Sequence, residues 1–176
     1  MVLSSPVKQS TYTIIVNRIV SATKYAAKQS MQKAVEEEVM LTENPEKREI
    51  SVSGDGSWKT QDHMSWYGIV GLSVIGAENG RLINVKVKCS YCKPCSQWKG
   101  PKNSRQYVEC YQNHKSICTA NHRGSAASME CIGLLDIFNR SQMNYNVKYI
   151  EHIGDCDTKS YKTVCDDMPY GLDIKI

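Results

Sequence analysis

The chain has 176 residues, 41% of them hydrophobic and 23% charged, with a net charge of +4, a balance that suits one globular domain and excludes a low-complexity or disordered chain. No uninterrupted apolar run reaches membrane-spanning length, and the N-terminus lacks the basic and apolar regions of a signal peptide. The expectation is therefore an intracellular protein without a membrane partner, in which the eight cysteines point to metal before disulfides.

The charge is unevenly spread. Residues 86–123 hold eight basic side chains (Lys86, Lys88, Lys93, Lys99, Lys102, Arg105, Lys115 and Arg123) against one acid, Glu109. Residues 124–176 hold five basic residues against eight acids. The first segment suits a polyanion, and the second could hold cations.

In chain order, residues 11–40 predict one long helix or two shorter ones. Ile15, Ile19, Ala22, Ala26, Met31, Val35 and Val39 fall near helical spacing, with no proline or glycine between them. Such a helix is a packing or dimerising appendage, or else a DNA contact through Arg18, Lys24, Lys28 and Lys33; Glu36, Glu37 and Glu38 would repel phosphate. A polar linker over 41–49 contains Asn44-Pro45.

Three strands are expected next. In the first, residues 50–55, Ile50, Val52 and Gly54 alternate with Ser51, Ser53 and Asp55, and Gly54 and Gly56 flank the carboxylate at its end. The second, 67–75, is almost continuously apolar, as a central strand should be. The third, 82–89, is one-sided through Leu82, Val85 and Val87, and Asn79-Gly80 before it predicts an antiparallel hairpin.

Residues 89–123 carry no sustained apolar period and need another source of stability. A helix over 125–144 follows, with a stripe of Met129, Ile132, Leu135, Ile137 and Phe138. A fourth strand over 147–153 ends in Gly154-Asp155-Cys156-Asp157. A short helix over 159–167 is halted at Met168-Pro169.

Two chemistries emerge. If the first and fourth strands lie side by side, Asp55 and Asp155, with Asp157 as its rival, share one rim. Paired carboxylates there can hold the hard divalent cations that phosphodiester chemistry requires. Glu130, early in the helix, could add a third oxygen ligand or simply face the helix dipole. Separately, Cys92-Lys-Pro-Cys95 is a two-residue-spaced pair, and His114 with Cys118, or Cys118 with His122, is a second. Together they fit a closed tetrahedral zinc site. Cys92, Cys95, His114 and Cys118 are the preferred ligands, with His122 the main substitute and Cys89 able to replace a member of the first pair. Tyr91, Trp98, Tyr107 and Tyr111 interleave with the basic residues, a mixture suited to phosphate contact and base stacking.

With these residues in view, the chain resembles Mutator-like transposase domains of eukaryotic, notably arthropod, transposons. The resemblance rests on Val-Ser-Gly-Asp55-Gly-Ser-Trp58, Asn79-Gly-Arg-Leu-Ile-Asn-Val-Lys-Val87, Ser90-Tyr-Cys92-Lys-Pro-Cys95, His114 with Cys118, Asn121-His-Arg-Gly-Ser-Ala126, Met129-Glu130, and Tyr149-Ile-Glu-His-Ile-Gly-Asp155-Cys-Asp157-Thr-Lys-Ser-Tyr161.

It implies an α/β, ribonuclease H-like mixed sheet over 50–176, with a helical segment at 1–49 and a zinc-binding basic insertion at 89–123. It further implies a DDE-type enzyme that cleaves and joins DNA in the nucleus with magnesium or manganese. Asp55, Asp155 or Asp157, and Glu130 are then the acids, and DNA and another copy of the chain the partners. The family's last acid falls beyond Ile176, so the expectation is a truncated copy lacking the C-terminal part of the fold. A catalytically silent, zinc-containing DNA-binding or interaction module is the alternative.

Overall fold

A computed structural model describes residues 7–58, 69–154, 158–171 and 174–175. Its first element, α1 (Gln9–Leu41), is one uninterrupted helix of 33 residues. Only its C-terminal end enters the core, through Ala34, Val35, Glu38 and Val39.

A single 3-10 turn at Pro45–Lys47 leads into β1 (Glu49–Trp58), followed by β2 (Ile69–Gly76) and β3 (Leu82–Cys89). After α2 (Lys93–Ser96) and α3 (Arg105–His114) come α4 (Ala126–Tyr145), β4 (Lys148–Ile153) and α5 (Thr158–Asp167). The four strands form one mixed sheet in the order β3-β2-β1-β4. The hairpin expected at Asn79-Gly80 is antiparallel, and Gly80 supplies its positive φ of 64°. β1 pairs antiparallel with β2 and parallel with β4, Ser53 facing Ile153. Next to β4, Lys175 makes a parallel bridge with Glu151, fixed by His152 N–H to Lys175 O at 2.9 Å and Lys175 N–H to Ile150 O at 2.9 Å.

One sheet face is covered. Ile50, Val52, Val74 and Tyr149 meet Met129, Leu134, Ile137 and Phe138 of α4 and the end of α1 in one core. The Phe138 and Tyr149 rings pack edge to face at 5.2 Å. Ser125 caps α4 by accepting from Ser128 N–H at 3.2 Å.

Three expectations need correction. Asp55 does not close its strand: β1 runs on to Trp58 because β2 keeps pairing with it, Asp55 against Ser73 and Trp58 against Val70. The helix stripe is shifted, for Ile132 is 39% exposed while Leu134 is buried; the sheet meets α4 along Met129, Leu134, Ile137, Phe138 and Ser141. In β3, Leu82 and Val87 are 44% and 52% exposed. A bulge after Leu82 turns Ile83 inward, and Asn84 is buried with it.

Lys88 is consequently buried, and its ammonium meets Asp136 of α4 at 2.6 Å, with Lys86 joining at 3.1 Å. These two cations are thus spoken for by the fold. Burial alone would raise the Asp136 pKa, but hydrogen bonds and charge from Lys88 and Lys86 bring it below the ordinary carboxylate value. A depressed carboxylate gives stability that is present above its unfolded pKa of about 3.9 and lost as pH falls through its folded value. Asp136→Asn should cost about 2 kcal/mol at pH 7, because Lys88 keeps its burial and loses its counter-charge. Urea unfolding at pH 7 and pH 3 checks this, and the gap between variant and parent should close at the lower pH.

Candidate metal centre and carboxylate edge

Beyond β3 the chain leaves the sheet at Cys89 and returns to the same residue. Cys89 O accepts from the N–H groups of Asn121 and His122 at 2.8 and 3.1 Å, and the Asn121 side-chain oxygen accepts from Cys89 N–H at 2.8 Å. Between these points α2 opens with Cys92 at its cap and Pro94 in its first turn, where a missing N–H does no harm. Ser104 caps α3 by accepting from Tyr107 N–H, and His114 is its last residue. A 3-10 turn at Lys115–Ile117 then presents Cys118.

The two half-sites meet. The ligand atoms of Cys92, Cys95, His114 and Cys118 all lie within 4.8 Å of one another. Cys92 Sγ is 3.0 Å from His114 Nε2, and Cys95 Sγ is 3.7 Å from Cys118 Sγ. Zinc–sulfur bonds of about 2.3 Å place the sulfurs of a tetrahedral site about 3.8 Å apart, so the donor set fits zinc. Four protein donors would leave no place for a substrate, so a metal held by this cluster would be structural.

Its thiols ionise unequally. Burial pushes the Cys95 thiol up to about 12, and Cys118 and Cys92 add to the effect. Burial acts the same way on Cys92, yet hydrogen bonds from the Cys95 and Thr119 backbone and from His114 bring it to about 5. A divalent cation supplies the charge that lets all three sulfurs lose their protons.

His122 stands apart from the cluster. It is buried, with Nε2 3.1 Å from Ser128 Oγ at the start of α4. Cys89 is also outside it, with its sulfur donating to Tyr91 O at 3.2 Å. Packed beside the knuckle is an aromatic ladder: Trp98 edge-on to Tyr107 at 5.4 Å, Tyr107 stacked on Tyr111 at 5.8 Å, and the Arg123 guanidinium 5.5 Å from the Tyr111 ring. Lys93, Lys99, Lys102, Arg105, Lys115 and Arg123 are exposed around it.

The carboxylates lie at the other end of the fold's logic, along β1. Asp55 is exposed on the strand face opposite Gly54 and Gly56. Glu130 comes to the same strand: a Cβ on Gly56 would stand 2.7 Å from Glu130 Oε1. The carboxylate of α4 thus lies against the residue next to Asp55, where only glycine leaves it room. Asp155 and Asp157 lie outside the described residues. The parallel register of β1 with β4 directs both strands toward the same edge.

One residue at this edge had no signal in the sequence. The His152 ring covers both glycines that precede the aspartates, for a Cβ on Gly54 or on Gly154 would fall 2.8 Å from its Nε2 or Cε1. Its Nε2 is buried without a hydrogen-bond partner, and burial pushes its pKa below the usual value. A lone histidine in an apolar strand carries no periodic signature, and only the two glycines hint that something crosses them.

Among the described residues no helix is long and apolar enough to cross a membrane. A family model described as Mutator-like transposase matches residues 2–176. Neither a curated protein nor a solved structure matches the chain.

Proposed function

The chain belongs to the Mutator-like transposase family, and from that membership we propose that it cleaves and joins DNA strands in the nucleus by two-metal phosphodiester chemistry. The observation that carries the proposal is that β1, which bears Asp55, runs parallel to β4, which leads to Asp155 and Asp157; Glu130 lies against Gly56, on the face of β1 opposite to that of Asp55. The sheet order supports a ribonuclease H-like reading: an antiparallel β1-β2-β3 meander, β4 parallel to β1, and Lys175 bridged in parallel beyond β4.

In this reading Asp55 and Asp155, with Asp157 the alternative to Asp155, hold magnesium or manganese, and Glu130 is the third acid that the family resemblance implies. The cations activate the attacking oxygen and stabilise the leaving one. The zinc-braced insertion, with its exposed cations and aromatic ladder, binds DNA mainly through phosphate. Carboxylates and DNA backbone are both anionic, so divalent ions between them also remove a repulsion.

The test is a supercoiled-plasmid nicking assay with manganese. Asp55→Ala should lower the nicking rate at least about 10³-fold, the scale of losing one metal-held charge interaction of several kcal/mol, while DNA affinity measured without divalent ions stays unchanged. Nicking that persists undiminished in Asp55→Ala, or in excess chelator, rules the chemistry out.

A further inference from the structure

The aromatic ladder of the insertion ends in a cation. Tyr107 and Tyr111, one turn apart on α3, stack with their planes 14° apart, and Trp98 closes the inner end edge-on. The outer end is the guanidinium of Arg123, 5.5 Å from the Tyr111 centroid. The three rings are only half-buried, and Arg123 is exposed. Among the described residues its guanidinium makes no ion pair. A ladder that served only to replace a core would end on an apolar side chain. This one ends on a planar, weakly hydrated cation, a surface on which another flat ring can lie.

The charges around it suit a polyanion but not a helix set into a duplex groove. α3 carries Arg105 and Glu109, which pair with each other at 3.5 Å, so its own charges cancel. Lys93, Lys99, Lys102 and Lys115 all lie off α3 and are exposed.

We infer that Arg123 receives an unpaired nucleobase on its outer side, so that the insertion holds single-stranded DNA in preference to duplex. The inference rests on the DNA-acting role proposed above and names the form of DNA taken. Phosphates of the strand meet the lysines, a contact that every sequence offers. A base then lies on the guanidinium and extends the stack of Tyr111 and Tyr107 by one ring. Bases within a duplex are already stacked and turn only their edges to the grooves, so they cannot enter the ladder. Charge alone favours the opposite order, because a duplex carries one phosphate per about 1.7 Å and a single strand one per about 3.4 Å. The order of affinities therefore separates stacking from simple attraction.

Fluorescence anisotropy of the zinc-loaded full chain, without magnesium or manganese, tests the inference. The probes, each about 12 nucleotides long, are an oligothymidylate, an abasic strand with the same number of phosphates, and the duplex of the first with its complement. The oligothymidylate should bind about tenfold more tightly than the abasic strand, the scale of one stacked base, and more tightly than the duplex. Arg123→Lys keeps the charge and removes the plane, so it should bring the first ratio close to one while the salt slope of binding stays unchanged. Tyr111→Phe, which keeps the ring, should leave the ratio as it is. Equal affinity of the parent for the thymidylate and abasic strands, a duplex bound as tightly as the single strand, or an undiminished ratio in Arg123→Lys would each overturn it. Nicking plays no part in these readings. A chain that binds as expected and cuts nothing fails the proposed chemistry alone, and one that cuts but ignores the bases fails this inference alone.

Discussion

Cys92→Ser is expected to lose bound zinc and, with it, the ordered structure of residues 90–120, while the sheet survives. The reason is the division of labour in the fold. The insertion buries no residue of α2 or α3, so a cation held by the cluster would provide what a core provides elsewhere. Structural zinc contributes on the order of 10 kcal/mol to small domains of this kind, far more than the aromatic ladder can replace. The core residues of β1 and β4, by contrast, are buried among α1 and α4 and do not depend on the metal. Zinc per chain by elemental analysis and amide exchange read by segment check both halves: protection should vanish in α3 and persist in β1. His114→Ala should behave like Cys92→Ser. His122→Ala should keep its zinc and lose only the bond to Ser128, and zinc lost from that variant but retained in His114→Ala would reverse the ligand assignment.

The second large effect is expected at Glu38. Its side chain is fully buried, and its two oxygens accept from the N–H groups of Glu78 and Asn79, each at 2.9 Å. Asn79 returns a bond to Ala34 O at 2.8 Å and accepts from Arg81 N–H at 2.8 Å. The helix therefore holds the β2–β3 turn chiefly through this carboxylate, with the Asn79 bond to Ala34 and the Arg81–Glu37 pair beside it. Glu38→Ala leaves two turn N–H groups without partners and opens a cavity, a loss of about 3 kcal/mol, or roughly 10 °C in melting temperature for a domain of this size. Gly76→Ala should approach it, since a Cβ there would stand well inside van der Waals contact of Glu38 Oε2. Glu36→Ala should cost under about 1 kcal/mol, because its bond to Arg48 lies at the surface with the carboxylate 54% exposed. Thermal melts of the three variants decide the matter, and equal losses for Glu36 and Glu38 would refute the buried-turn account.

That contrast shows where the sequence could be read and where it could not. Glu36, Glu37 and Glu38 look like one solvated acidic run, yet they pair with Arg48, Arg81 and a turn respectively. Local spacing says nothing about partners 12 to 44 residues away. Period-two alternation did locate β1, a continuous apolar run located β2, and the Asn79-Gly80 turn fixed the hairpin, because these signals are local. Spacing alone paired Cys92 with Cys95 but left His114 and His122 open, since either reaches Cys118 in four residues. What separates them is the hydrogen bond that ties His122 to Ser128. The basic run was read as a single polyanion surface, and Lys86 and Lys88 proved to belong to the sheet through Asp136. Their alternation with valines was visible; which side α4 would cover was not.

The return of the chain to Cys89 has a further consequence. A loop whose two ends are already fastened together transmits little about its own size to the body that carries it. Doubling its length costs only about 0.6 kcal/mol in closure entropy. Shortened, enlarged or exchanged for a foreign module, the excursion should leave the pleated scaffold almost indifferent, provided that Asn121 and its clasp on Cys89 are kept.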